Sequence, residues 1–158
     1  MSLAPSLLLR GLAVFSLFSL CALVACQSEY KKHRFLGKQF EAEERYDEAI
    51  KEYEMAAAAD PTRASPLYHI AKIRAKQKKF DEAIKHFRKA IEADPDYPDT
   101  YPDLAEALQQ TQRTDEAIRV ATEALNRPAV KSDVRTAQEL EKMLRELQEK
   151  ASGLSTRK

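Results

Sequence analysis

The tetrapeptide Asp-Glu-Ala-Ile occurs three times, at Asp47–Ile50, Asp81–Ile84 and Asp115–Ile118, each copy 34 residues after the last. Other positions keep the same step. Leu36, Ile70 and Leu104 align, as do Gly37, Ala71 and Ala105, and then Ala56, Ala90 and Ala124. Tyr53 and Phe87 align with Ala121 as the third member, and Pro61 aligns with Pro95. A period of this size means that one supersecondary unit is copied along the chain. A single copy cannot bury its apolar face alone, so the copies must stack into a solenoid.

Within each copy the apolar residues fall at helical spacing; Ala49, Ile50, Tyr53 and Ala56 make one face. Asp47, Asp81 and Asp115 are expected to N-cap the second helix of each copy, with a glutamate behind each at the positive helix end. Gly37, Ala71 and Ala105 are small where two helices of a hairpin approach most closely. Asp60-Pro61 and Asp94-Pro95 end one hairpin and start the next. Three glycines in 158 residues are too few for the turns of a many-stranded barrel, and they leave no glycine-rich phosphate loop. Two cysteines outside any Cys-x-x-Cys or Cys/His cluster exclude a zinc site and a disulfide scaffold. The fold class is all-α.

These residues resemble the tetratricopeptide repeat (TPR) family. Its pattern asks for a large apolar and a small residue side by side in the first helix. It then asks for an early alanine, an aromatic and a later alanine in the second helix, and a proline after it. Leu36, Gly37, Ala49, Tyr53, Ala56 and Pro61 supply this once, and Ile70, Ala71, Ala83, Phe87, Ala90 and Pro95 supply it again. Leu104, Ala105, Ala117 and Ala124 supply a third, with Thr114 and Ala121 in place of aromatics and Pro128 one position early. The resemblance implies repeats over 30–63, 64–97 and 98–131. Residues 132–151 read as a capping helix with Val134, Ala137, Leu140, Leu144 and Leu147 in one stripe, and 152–158 as a flexible tail. Small residues in the third repeat would let the capping helix lie close. Arg74 takes a usually apolar position, so its stem is expected to snorkel.

Residues 1–25 differ in kind. They hold no acid and a single basic residue, Arg10, and Gly11–Ala25 is an uncharged run of fifteen, shorter than the ~20 residues a spanning helix needs. The run ends in Leu23-Val24-Ala25-Cys26 and turns polar at Gln27. This resembles the lipobox of bacterial lipoproteins. The resemblance implies that residues 1–25 are cleaved, that Cys26 carries acyl chains, and that 26–29 is a short lipidated tether. Gln27 in place of Asp favours the outer membrane, with the domain facing the periplasm of the cell envelope. Two or more acyl chains hold a protein stably where one does not.

Nothing in the chain assembles a catalytic set. His33, His69 and His86 are the only histidines, no nucleophile motif is present, and the carboxylates sit among lysines at helical spacing. His86 reads as a solvated surface residue. We therefore expect no enzyme, no metal and no cofactor beyond the covalent lipid on Cys26. Lys+Arg of 26 against Asp+Glu of 25 gives no general attraction to nucleic acid, despite the basic run Lys72–Lys79.

Function then falls to a surface. By resemblance, the first helices line a concave groove that binds a peptide or helix of a protein partner. The first repeat places Lys31, Arg34, Phe35, Lys38, Glu41 and Ala42 there. The second places Ser65, Tyr68, His69, Lys72, Ala75 and Lys76, and the third Asp99, Pro102, Asp103, Glu106, Gln109 and Gln110. Repeats 1 and 2 would be basic and repeat 3 acidic, orienting a partner with an acidic stretch on the former and a basic stretch on the latter. Phe35, Tyr68 and His69 would anchor it. Adaptors of the family that grip a C-terminal carboxylate use Lys, Asn and Arg at set positions. Arg34 and Lys38 stand at two of these, but His69, Asp99 and Asp103 stand at the others, and two acids would repel a carboxylate. Lys31, Lys32, His33 and Arg34 could instead touch anionic lipid beside the anchor. The reading is a membrane-anchored interaction scaffold or assembly adaptor in the bacterial cell envelope. The alternative is a structural, self-associating envelope protein without a groove ligand. Oligomeric state, partner and pathway stay open.

Overall fold

The computed structural model describes residues 27–153. The expected cleaved segment 1–25, Cys26 and residues 154–158 lie outside them. Among the described residues there are helices and turns and no strand. Helix α1 spans 27–42. It is followed by α2 (Tyr46–Ala59), α3 (Ala64–Lys76), α4 (Phe80–Ala93), α5 (Thr100–Gln110), α6 (Thr114–Leu125), α7 (Pro128–Ser132) and α8 (Val134–Ala151).

Three hairpins, α1/α2, α3/α4 and α5/α6, share one corner. Glu44, Lys78 and Gln112 take φ of 58°, 60° and 61°, again 34 residues apart. The amide of the next residue reaches back five residues, from Arg45 to Phe40, Lys79 to Arg74 and Arg113 to Leu108, at 2.9 Å each time. This is the Schellman closure of a helix, made here without glycine. It overturns the expected N-caps. One residue after the corner suffices to start the second helix, so the capping positions fall to Arg45, Lys79 and Arg113, none with a side-chain cap bond. Asp47, Asp81 and Asp115 sit in the first helical turn, where their charge still favours the helix end. Asp60 and Asp94 act as expected at the hairpin junctions. Their Oδ1 atoms accept from the Thr62 and Asp96 amides at 3.2 and 3.1 Å, closing turns after α2 and α4.

The periodic alanines are the seams. Ala49, Ala56, Ala83, Ala90, Ala117 and Ala124 are fully buried. Ile50, Tyr53, Ile70 and Ile73 join repeat 1 to repeat 2, and Phe87, Leu104, Ala107 and Leu108 belong to the next junction. A Cβ on Gly37 would stand 2.8 Å from the Tyr53 ring, so the close approach expected there is real.

Beyond repeat 3 the short α7 buries Val130, an element that periodicity did not announce. The capping helix begins at Val134, not at Ser132. Asp133 caps it by accepting from the Thr136 amide at 3.2 Å. Leu140 and Leu147 are fully buried, with Leu140 packed in one cluster with Ala121. Val134 departs from the expected stripe and is 64% exposed, because it stands at the helix start while Thr136 turns inward. Arg74 differs from the snorkelling expected of it: its Nε is enclosed, 3.1 Å from the Glu82 carboxylate, and its Nη1 donates to Gln77 at 3.0 Å. His86 corrects the surface reading. It is half-buried, its Nδ1 is buried without a partner, and burial together with Lys89 and Arg74 lowers its pKa against the opposing pull of Glu54 and Glu82.

Candidate functional site

The first helices of the hairpins line two clefts, α1 and α3 the first and α3 and α5 the second. The first, about 500 Å³, lies along α1 and the start of α3. Tyr30 forms its inner wall and is 9% exposed, with the Arg34 and Arg63 guanidinium carbons 5.9 and 5.5 Å from its ring centroid. Both are close enough for a cation–π attraction. Lys31 and Lys38 line the same cleft and have no carboxylate within ion-pair distance among the described residues. The Arg34 Nε is buried without a hydrogen-bond partner. Asp60 and Asp94 also line this cleft. Asp60 is already engaged by Thr62 and by Arg63 at 3.2 Å.

Between repeats 1 and 2 the groove is filled by the chain itself. Glu41 Oε2 accepts from the Tyr53 hydroxyl at 2.7 Å, and His69 Nδ1 lies 3.0 Å from the same oxygen. The Lys76 ammonium is 3.9 Å from the other oxygen. Burial works against ionisation of Glu41, but the His69 and Tyr53 contacts and the nearby charges overcome it and hold its pKa at about 2. His69 thus lines the first cleft as a paired group.

The second cleft, about 380 Å³, lies between repeats 2 and 3. Ala75, Phe80, Phe87 and Ala107 give it an apolar floor, and Lys72, Lys76, Lys78, Asp103 and Glu106 stand around it. Burial raises the Asp103 pKa against the opposing effects of a hydrogen bond from Tyr68 and the charge of Lys72.

The groove residues read from the sequence therefore separate. Lys31, Arg34, Lys38 and His69 meet in the first cleft; Lys72, Lys76, Asp103 and Glu106 meet in the second. Tyr68 is 8% exposed, packed against Tyr97 and Phe87 beneath Lys72, so it forms part of the scaffold and offers little surface to a ligand. Phe35 is 62% exposed and lines neither cleft. Asp99 lines neither, and its carboxylate receives Arg135 of α8 at 2.5 Å. The acidic end of the groove is thus partly neutralised by the capping helix, and Glu106 is the acid there left exposed. Reasoning from sequence missed Arg135, because α8 lies outside the repeat register, and Arg63, which precedes α3.

Two family models, both described as Tetratricopeptide repeat, match residues 36–98 and 74–140. The chain belongs to the tetratricopeptide repeat (TPR) family. Solved TPR structures share its fold. The TPR2B domain of yeast Sti1, solved as a pHsp70 complex, is 24% identical with a TM-score of 0.70, over 78% of this chain and 98% of that one. The second TPR domain of human RPAP3, in complex with the HSP70 peptide SGPTIEEVD, is 24% identical with a TM-score of 0.63, over 75% and 97%. The Yersinia enterocolitica type III secretion translocator chaperone SycD is 18% identical with a TM-score of 0.66, over 77% and 85%. No curated protein matches the chain.

Proposed function

We propose that this TPR protein is an interaction scaffold whose concave face captures an acidic segment of a protein partner, held at a bacterial envelope membrane by lipid on Cys26. The observation that carries the binding part is the first cleft. Lys31 and Lys38 face it without carboxylate partners, and Arg34 keeps a buried Nε unpaired. A carboxylate-rich segment would pair both lysines, and charge-assisted bonds of this kind set orientation and on-rate. The RPAP3 neighbour, a domain of the same fold, was solved with an acidic peptide.

The basic partner stretch expected over repeat 3 is not part of this reading. Asp99 is taken by Arg135, and Asp103 is partly buried beside Tyr68, one carboxylate oxygen enclosed without a hydrogen-bond partner. The membrane part rests on the sequence pattern around Cys26 alone. Helix α1 already begins at residue 27, so an anchor at Cys26 would hold the first cleft close to the headgroups.

Crosslinking in cells that carry the chain, followed by comparison with Lys31→Glu/Lys38→Glu, tests the binding part. The double reversal is expected to lose the crosslinked partner, and retention at low salt would overturn it. Cys26→Ser is expected to release the chain from membranes and to abolish incorporation of labelled palmitate. Unchanged fractionation would remove the anchor.

A further inference from the structure

The two ends of the stack differ. At the far end α8 covers repeat 3, burying Leu140 and Leu147 behind a face of mixed charge. At the near end no hairpin precedes α1 among the described residues. The 34-residue step identifies the side of α1 that this leaves bare. Lys32, Phe35 and Gln39 become Pro66, His69 and Ile73 in α3, then Thr100, Asp103 and Ala107 in α5. In both later helices these positions meet the hairpin before. Pro66 and Ile73 are buried, Ile73 in one cluster with Tyr53, and His69 stacks on the Tyr53 ring. Thr100 and Ala107 are buried in turn, and Asp103 lies beside Tyr68. In α1 the same three positions are exposed, Phe35 to 62%. Helical spacing adds Ser28, Lys31, Lys38 and Ala42 to this face, all of them exposed. Phe35 stands at its centre. Lys31 and Lys38 flank it on the side of the first cleft, and Lys32 flanks it on the other.

We propose that this end face docks on an anionic bilayer, with the Phe35 ring entering the lipid interface and Lys31, Lys32 and Lys38 meeting headgroup phosphates. This rests on the anchor reading above and deepens it, because it gives the tethered domain one orientation. Two observations point to lipid. Helix α1 begins at Gln27, so a lipid-bearing Cys26 adjoins the first turn of this face. The charge of the face is also one-sided. Lys31 and Lys38 have no carboxylate within ion-pair distance among the described residues, and Lys32 has Glu29 at 3.3 Å with both side chains more than half exposed. Two copies of this face would repel each other, and the mixed charge of α8 offers it no complement. An aromatic ring between lysines suits the headgroup region. The ring is buried at the acyl boundary, the lysine stems lie along it, and the ammonium groups stay level with the phosphates. Helix α1 then lies flat on the lipid, the repeats rise from it in order, and α8 stands furthest away. Lys32 and Phe35 line neither cleft, so they belong to this face alone.

The chain holds no tryptophan, so Phe35→Trp places a single reporter on the face, and Val134→Trp places one at an exposed apolar position of the far end. Each variant of the full chain is purified from membranes and placed in nanodiscs of phosphatidylcholine with or without phosphatidylglycerol. Lipids brominated at stepped depths act as quenchers. In the anionic discs the indole at position 35 is expected to emit to the blue of the Val134→Trp chain and to lie about 5–10 Å into the boundary between headgroups and acyl chains. Quenching is expected to weaken in phosphatidylcholine alone and on adding Lys32→Glu. Val134→Trp is expected to escape the bromine in every disc. Absent quenching at position 35, equal quenching at both positions, or quenching that ignores lipid charge overturns the proposal and leaves the anchor standing. A chain that does not stay with the discs overturns both readings. Blue emission that bromine leaves untouched, and that is lost in discs carrying one chain each, overturns the lipid contact and assigns the face to a second copy.

Discussion

His69 lies flat on Tyr53, ring centroids 4.9 Å apart and planes within 9°, with Glu41 joining the two polar ends. The three groups come from three helices, so the contact fixes α1, α2 and α3 in one arrangement. Its cost and benefit are set by the Glu41 charge. The folded pKa, about 2, lies below the ordinary 4.5, so the ionised carboxylate contributes stability that is fully present above about 4.5 and is lost as pH falls toward 2. Glu41→Gln is expected to melt lower than the parent at neutral pH, with the gap closing as pH approaches 2 in a pH series of thermal melts.

Asp103 carries the opposite sign. Burial raises its folded pKa above 3.8, so its ionised form weighs against the fold at neutral pH and the penalty lifts on acidification. Tyr68, Lys72, Asp99 and Arg135 are the polar groups that act on it. Asp103→Asn keeps an oxygen to accept from Tyr68 and discards the charge. A higher melting midpoint at neutral pH is expected, with the benefit vanishing in acid; a lower midpoint at neutral pH would show that the charge is well compensated by Lys72.

Gly37→Ala should be the sharpest small change in the chain. The new methyl would meet the Tyr53 ring at 2.8 Å, and that ring is fully buried, bonded to Glu41 and covered by His69. Overpacking of this kind costs about 1–3 kcal/mol, only partly offset by roughly 1 kcal/mol of helix propensity. Denaturant titration is expected to show a lower midpoint.

Gln112 holds φ of 61° at an exposed corner and lines neither cleft. A side chain there carries the steric cost of the left-handed region, which glycine avoids. Gln112→Gly is expected to stabilise the fold by about 0.5–1 kcal/mol, read by the same titration.

Asp133→Ala removes the cap of α8 and its bond to the Thr136 amide. A loss of about 0.5–2 kcal/mol is expected. Faster amide exchange in α8 than in α3 and α4 would localise the effect to the end of the stack, where Leu140 and Leu147 cover repeat 3.

The stacking was legible in the sequence because burial leaves a period: Ala49, Ala83 and Ala117 recur where only a methyl fits. The hairpin corners were not legible, since Glu44, Lys78 and Gln112 adopt a conformation that their residue types do not advertise. The N-cap expectation slipped by two residues for that reason. The basic cleft was half legible. Lys31, Arg34 and Lys38 follow from the helix face, whereas Arg63 enters from a connection. The pairing of Asp99 with Arg135 spans 36 residues and joins a repeat to a helix outside the period, so no spacing rule reaches it.

The shared corner at Glu44, Lys78 and Gln112 separates architecture from recognition. Because the backbone turns alike in every hairpin, an exchange such as Glu41 for Ala75 alters what the concave side can hold without moving a helix. Descendants of a duplicated module of this kind can drift toward new clients by point changes at matching sites, while the frame that displays them is inherited intact.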